Sequence, residues 1–240
     1  RIDYQGRIIV KDESVNQFLR ASTEIGENIN FVQGAGGNTS YKHNDSLFIK
    51  ASGHKLKNSY KKNIFVEVNI SRTLNQINKN NPIKGAWDES NNLRPSIETT
   101  MHVLMPHKYV FHVHCVNTIS WLVQKDFEER FLELFADHKF LIIDYARPGI
   151  NLTRVIQQKI NKDNVPEILF LSNHGLVVGA NTVEEVLYTT NLVSDRLQMA
   201  PKARSKRNIS RLNGICQNTP YKPSKFKDAH NIAFCNRSIQ

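Results

Sequence analysis

Two histidines stand two residues apart in Phe111-His112-Val113-His114-Cys115, inside an otherwise apolar run. Residues i and i+2 of a strand share a face, so the two imidazoles project together while Phe111, Val113 and Cys115 point the other way. Such a pair is either a bidentate clamp for a divalent metal or two hydrogen-bonded core histidines, and the motif alone leaves both open. A third imidazole, His174, lies in Ser172-Asn173-His174-Gly175, where a glycine frees the backbone to aim the side chain into a cleft. Three neutral imidazoles with an open position are the layout of catalytic zinc, although the same donors accept other divalent metals. The nearby carboxylate is Glu98, expected in the first turn of a helix that starts after Pro95-Ser96, with Ser96 as its cap. His102, four residues further on, shares that helix face; it could be a ligand, a partner that supports the ligands or a surface residue, and a surface or packing role is the expectation.

A second constellation surrounds the glycines of Gln33-Gly34-Ala35-Gly36-Gly37-Asn38-Thr39-Ser40. Thr39 stands where a dinucleotide fingerprint needs its last glycine, and no Gly-Lys-Ser/Thr follows, so neither a Rossmann turn nor a P-loop is present. What remains is a turn in which Gly36, Gly37 and Asn38 offer backbone N–H groups and one amide to an anion. Ser52-Gly53 and Ser96 add two hydroxyls and more bare backbone. Each is an ordinary turn by itself; together they form a phosphate pocket only if the fold converges them.

The elements that must do the positioning are legible in outline. Residues 12–26 have helical apolar spacing, with Ser14 and Gln17 placed as a capping box. Ser46–Ser52 reads as a strand after the glycine turn, and residues 72–94 as a polar surface loop or short helix. Residues 109–116 alternate as a strand, as do 139–146, followed by the Arg147-Pro148-Gly149 turn and a helix over 151–160. Strands flank the turn at 173–175, and Thr182 with Glu185 makes a second capping box ahead of a long helix. This mixture predicts an α/β (α+β) class in one domain. Beyond about residue 200 the pattern dissolves into basic and polar residues, with only residues 231–235 as a candidate strand.

Composition narrows the function. The 240 residues carry a net charge of +10. The basic clusters at 54–62 and 201–207 lack the interleaved aromatics of a single-strand binder, so they read as a solvated face and no nucleic-acid partner is expected. No apolar run reaches the ~18 residues of a membrane span. Three cysteines without a CxxC pair argue for a reducing, cytoplasmic setting.

Taken together, "GAGGNTS", "KASG", "RPSIETTMH", "PHKYVFHVHCVNTIS", "YARPG" and "SNHGLVVGANTVEEV" resemble the class II aldolase/adducin family in order and spacing, over roughly residues 10–198. Within it the chain is most similar to the aldolase part of bifunctional rhamnulose-1-phosphate aldolase/dehydrogenase proteins, although no dinucleotide-binding domain follows here. The resemblance implies a three-layer fold over residues 1–200, with a central, largely antiparallel sheet flanked by helices. It also implies a homotetramer with active sites between subunits; the basic tail 201–240, beyond the reach of the resemblance, reads as either mobile or ordered against a neighbouring subunit. It implies one Zn2+ per chain, or another divalent metal, on His112, His114 and His174, with Glu98 as fourth ligand or acid/base. The family's phosphate pocket maps to Gly37, Asn38, Ser52, Gly53 and Ser96; Ile97 stands where fuculose-phosphate aldolase has a second serine. The implied activity is an aldehyde-lyase that cleaves or forms a C–C bond in a ketose, expected to be phosphorylated, through a zinc-stabilised enediolate. Epimerases, dehydratases and decarboxylases share the scaffold, and adducin-like binding modules keep it without the metal site. The tyrosine that protonates the aldehyde oxygen in relatives has no aligned counterpart here, though Tyr145 and Tyr221 are available.

Overall fold

The computed structural model describes residues 12–79, 81, 83–90, 92–160, 165–199 and 209–224. The chain falls into two units, Arg1–Gln198 and Met199–Gln240. In the first, α1 (Glu13–Glu27) precedes three strands, β1 (Asn38–His43), β2 (Ser46–Lys50) and β3 (Phe65–Asn69), and then α2 (Ile70–Asn78) and α3 (Thr99–Leu104). Next come β4 (Tyr109–Val113), α4 (Val116–Leu122), α5 (Glu128–Leu134), β5 (Phe140–Ile143) and α6 (Ile150–Lys159). Strands β6 (Ile168–Leu171) and β7 (Gly175–Ala180) lead into α7 (Val183–Arg196), and α8 (Ile209–Cys216) lies in the second unit.

The seven strands form one sheet in the order β3-β2-β1-β4-β7-β6-β5, antiparallel at every step except β5 against β6. The expected largely antiparallel α/β architecture is therefore present. Period-two alternation sorts the side chains between two helical layers. On one face Phe111, Val113, Phe170 and Val178 pack with Phe18 of α1, Leu122 of α4, Phe131 of α5 and Val186 of α7. On the other, Val110, Leu169 and Val177 meet Met101 of α3 and Ile156 of α6, while Leu47, Ile49 and Val68 meet Ile77 of α2 and Val103 of α3. Burying both faces is what lets the middle strands read as nearly continuous apolar runs. Among the described residues, no helix is long and apolar enough to cross a membrane.

Several local expectations are corrected. The cap of α1 is Asp12, whose carboxylate accepts from the Ser14 N–H, so the Ser14–Gln17 box does not form. Glu98 occupies the N-cap position of α3 and not its first turn, because Ser96 Oγ takes the Glu98 N–H two residues early. The β4 strand stops at Val113, since Cys115 already serves as the N-cap of α4. Inside the stretch expected to be loop or short helix, α2 is held at its start by Asn69 and Asp45. The Asn69 side chain accepts from the Arg72 N–H, and Asp45 accepts from the Ser71 N–H and hydroxyl. The capping box of Thr182 and Glu185 forms as read. The candidate strand at 231–235 lies outside the described residues; the tail does contain α8, which the sequence pattern did not show.

Candidate metal centre

His112, His114 and His174 converge so that one ring nitrogen from each lies within 4.8 Å of the others. Their ring centroids are 4.8 to 5.4 Å apart. Glu98 closes the group: Oε2 is 3.4 Å from His112 Nε2 and Oε1 is 3.1 Å from His174 Nε2. The His112 ring is 0% exposed, and its Nδ1 lies 3.0 Å from the Leu176 carbonyl, which can only accept. The proton therefore sits on Nδ1 and the Nε2 lone pair faces the centre, the tautomer a metal ligand needs. Among the described residues, neither His112 Nε2 nor Glu98 Oε1 has an aligned hydrogen-bond partner, although both atoms are buried. Buried polar atoms are ordinarily satisfied, so two orphans facing one point, among three imidazoles and a carboxylate, fit a divalent cation.

Local backbone chemistry brings these groups together. Strand register sets Asn38 of β1 directly opposite His112 of β4, so their side chains share a face. Asn38 Nδ2 then donates to Glu98 Oε2 at 2.8 Å and to Ser96 Oγ at 3.2 Å. Both amide protons are thus directed at the carboxylate and its neighbour. Near His174 the left-handed turn is made by Asn173, at φ 54°, and not by the glycine. Gly175 is required for another reason: a Cβ there would lie 2.5 Å from the Val113 carbonyl oxygen, where β7 comes up against the end of β4. Gly36 plays the same part for the third ligand, since its Cβ would stand 2.9 Å from His114 Nδ1.

Charge is arranged to match. Burial lowers the His112 pKa to about 4 against the opposing pull of Glu98, and burial likewise lowers that of His114, so both rings are neutral donors at pH 7. Burial pushes the Glu98 carboxyl up; the positive charge that His112 and His174 carry when protonated, the contact with His174 and the hydrogen bond from the Asn38 amide outweigh it and hold the group below the usual carboxylate range. One residue escaped the sequence reading altogether. Lys50, at the end of β2, is 2% exposed and donates to the Ala35 carbonyl at 2.8 Å and the His54 carbonyl at 2.7 Å. Its ammonium ties the glycine turn to the Ser52-Gly53 turn, and its burial lowers its pKa to about 8. A lysine at the inner end of a strand, flanked by two glycine-bearing turns, was the available signal.

This arrangement can be compared with known proteins. A family model described as the Class II Aldolase and Adducin N-terminal domain matches residues 16–200. The chain belongs to that family. An uncharacterized oxidoreductase, YuxG of Bacillus subtilis (strain 168), is 26% identical over 189 residues, covering 72% of this chain. The chain spans only 27% of that relative's length. Among solved structures, the N-terminal class II aldolase domain of a conserved Thermoplasma acidophilum protein matches with a TM-score of 0.67 at 21% identity, covering 81% of this chain and 98% of that one. A sugar-phosphate aldolase from Thermotoga maritima matches with a TM-score of 0.60 at 13% identity, covering 77% and 92%. At these identities the likeness is one of fold.

In this class II aldolase and adducin family domain the expected anion-binding residues are divided between two turns and the start of α3. Gly37 has φ +62°, and a Cβ would stand 2.9 Å from the His112 carbonyl oxygen. Gly53 has φ +75° with open space around it, so conformation alone demands glycine there. The Ser52 N–H is already donated to the Arg94 carbonyl at 2.9 Å, which leaves its hydroxyl as the free donor. Ser96 borders a cavity of about 940 Å³ that Arg94, Ile97 and Arg147 also line. Ile97, 67% exposed, lies over Gly149, whose Cβ would meet it at 3.2 Å. His102 is neither a ligand of the cluster nor a surface residue: it is fully buried against Ser40.

Proposed function

We propose that this chain is a metal-dependent aldolase-type lyase acting on a ketose that carries a phosphate. The observation that carries the reading is the convergence of three imidazoles with one buried carboxylate, in which, among the described residues, His112 Nε2 and Glu98 Oε1 lack an aligned hydrogen-bond partner. His112, His114 and His174 would hold the metal, zinc or another divalent ion, with Glu98 as fourth ligand or as the acid/base. A divalent ion held there supplies Lewis-acid polarisation of a carbonyl oxygen, a stabilisation of several kcal/mol for developing oxyanion charge. Glu98, ionised at neutral pH, is the base for a carbon-bound proton beside that carbonyl, and Asn38 orients it through the 2.8 Å hydrogen bond. Gly37, Asn38, Ser52, Gly53 and Ser96 would receive the phosphate, with the Lys50 ammonium, which ties the two turns together, as a counter-charge. Holding the remote anion fixes the reacting carbon, so binding energy far from the bond lowers the barrier at the bond.

The same reading takes residues 1–200 as the catalytic domain and 201–240 as a tail that packs on a neighbour in a homotetramer, in the cytoplasm. Metal analysis of protein purified without chelators, beside His112→Ala, tests it. About one zinc per chain, lost in the variant, is the expected result. Aldehyde release from phosphorylated ketoses, abolished in Glu98→Gln with its metal retained, would then establish the lyase. Absence of metal even after zinc is added would overturn the reading in favour of an adducin-like binding module.

A further inference from the structure

Alternate residues of β1 face the helix that carries Glu98, and each grips it at a different level. Asn38 holds the Glu98 carboxylate at the N-terminus of α3. In the middle, Ser40 Oγ and His102 Nδ1 lie 2.7 Å apart, and at the C-cap the Lys42 ammonium donates to the Met105 carbonyl. The spans agree: four strand residues advance about 13 Å, and Glu98 to Met105 advances about 10 Å along a helix. The helix therefore runs along the strand, and sliding it would break all three contacts at once.

Such an arrangement is not what core stability alone would select. Ser40 and His102 are both 0% exposed, and among the described residues His102 Nε2 has no hydrogen-bond partner. A buried polar ring with one unsatisfied nitrogen is costlier than an aliphatic side chain of similar size. What the pair adds is register. At six residues α3 is too short to be rigid by itself, and no side chain caps its N-terminus. Asn38 also sits opposite His112 in the strand pairing, so the row that grips the helix is built into the strands that present the first imidazole.

We propose that Ser40 and His102 are positioning residues for Glu98, locking α3 against β1 so that the carboxylate stays at His112 and His174. The proposal rests on the assignment of Glu98 to the metal centre, and two readouts separate them. In the metal-free full chain, the side-chain amide signals of Asn38 in a 1H–15N spectrum report the Glu98 contact. Ser40→Ala and His102→Leu are expected to move them toward their Glu98→Gln positions, whereas His102→Asn, which keeps a polar atom near the Nδ1 position, restores them. Signals left at wild-type positions in Ser40→Ala and His102→Leu would overturn the proposal. If His102→Leu fails to fold, Ser40→Ala decides alone.

Cobalt(II) titration, followed by its visible absorption, supplies the second readout. Ser40→Ala should weaken binding by about 10-fold or more in the wild-type background, the scale on which residues supporting metal ligands act. In a Glu98→Gln background it should change nothing. Equal weakening in both backgrounds would mean a general loss of structure and would also overturn the proposal. A wild-type chain that takes up no cobalt sinks the metal assignment, while the amide signals still decide the positioning role.

Discussion

Replacing Asn38 by aspartate alters the charge of the site with almost no change of shape. The Asn38 amide donates to Glu98 Oε2 at 2.8 Å, and both side chains are buried. In Asn38→Asp an oxygen bearing negative charge takes the donor's place. Two unit charges 2.8 to 4 Å apart repel by about 4–6 kcal/mol at an effective dielectric of 20, so the pair keeps one proton at neutral pH. The sign of the pH dependence follows. A carboxyl whose folded pKa is raised above its unfolded value stabilises the fold only while protonated, so that stability is lost as pH rises through the folded pKa. Asn38→Ala removes the charge-assisted hydrogen bond together with the longer one to Ser96 Oγ and introduces no new charge, a loss of about 1.5–3 kcal/mol or somewhat more with little pH dependence above pH 5. Urea unfolding of the metal-free chain from pH 5 to 8 should therefore show the two variants diverging as pH rises. Asn38→Asp should fall below Asn38→Ala by several kcal/mol at pH 8. Parallel curves, or an aspartate variant as stable as the alanine one at pH 8, would refute the inference that this amide solvates the Glu98 carboxylate.

Other perturbations test the surrounding structure. Gly175→Ala drives a Cβ to 2.5 Å from a backbone oxygen, so it should cost at least the ~1–3 kcal/mol of an overpacked core and weaken zinc binding, measured by melting and by metal titration. Lys50 has a folded pKa of about 8 against 10.5 unfolded, so the folded chain releases that proton first. Its contribution raises stability between pH 8 and 10.5 by about 3 kcal/mol, a rise that Lys50→Met should remove from the unfolding curve. The same variant should bind inorganic phosphate more weakly at pH 7, and lack the decline in affinity expected of the wild type above pH 8. Thr182→Ala, which breaks a formed capping box, should cost about 1 kcal/mol in urea unfolding and leave metal binding unchanged.

What could be read in the sequence is unevenly distributed. The histidine triad is legible because its pieces are local: an alternating strand carries His112 and His114, and a tight turn carries His174. The physical reason assigned to Gly175 was wrong, because a close approach between two strands leaves no local trace, whereas the left-handed turn at Asn173 does. Strand β3 was there to read in the alternation of Phe65 and Glu67 with Val66 and Val68. Helix α5 was not, because Phe127 stands at its N-cap and no side chain caps the helix. Lys50 was passed over because a lysine in an apolar strand looks like an exposed edge, and only the two carbonyls it finds explain its burial. Contacts among residues 38, 40, 42 and α3 depend on how a helix is laid along a strand some sixty residues away, which no short-range pattern encodes.

The position of Glu98 links these scales. Helix N-caps favour side chains that accept from the first-turn amides, and glutamate is a poor one. Here the Glu98 side chain makes no capping bond, and its own N–H is taken by Ser96 Oγ. The positive end of the helix still lies beneath it and favours its ionised form. Asn38 and the imidazoles do the rest, producing a carboxylate that is charged, buried and aimed outward from the helix start at two rings. A carboxylate serving only to stabilise the fold would gain more by capping its own helix. This one forgoes the cap and leaves Oε1 without an aligned partner, as His112 leaves Nε2. Both costs are offset together when a cation binds, because a ligand that binds only the folded state adds its binding free energy to folding. On this reading the geometry would couple the stability of the α3–β1 contact to occupancy of the proposed metal centre.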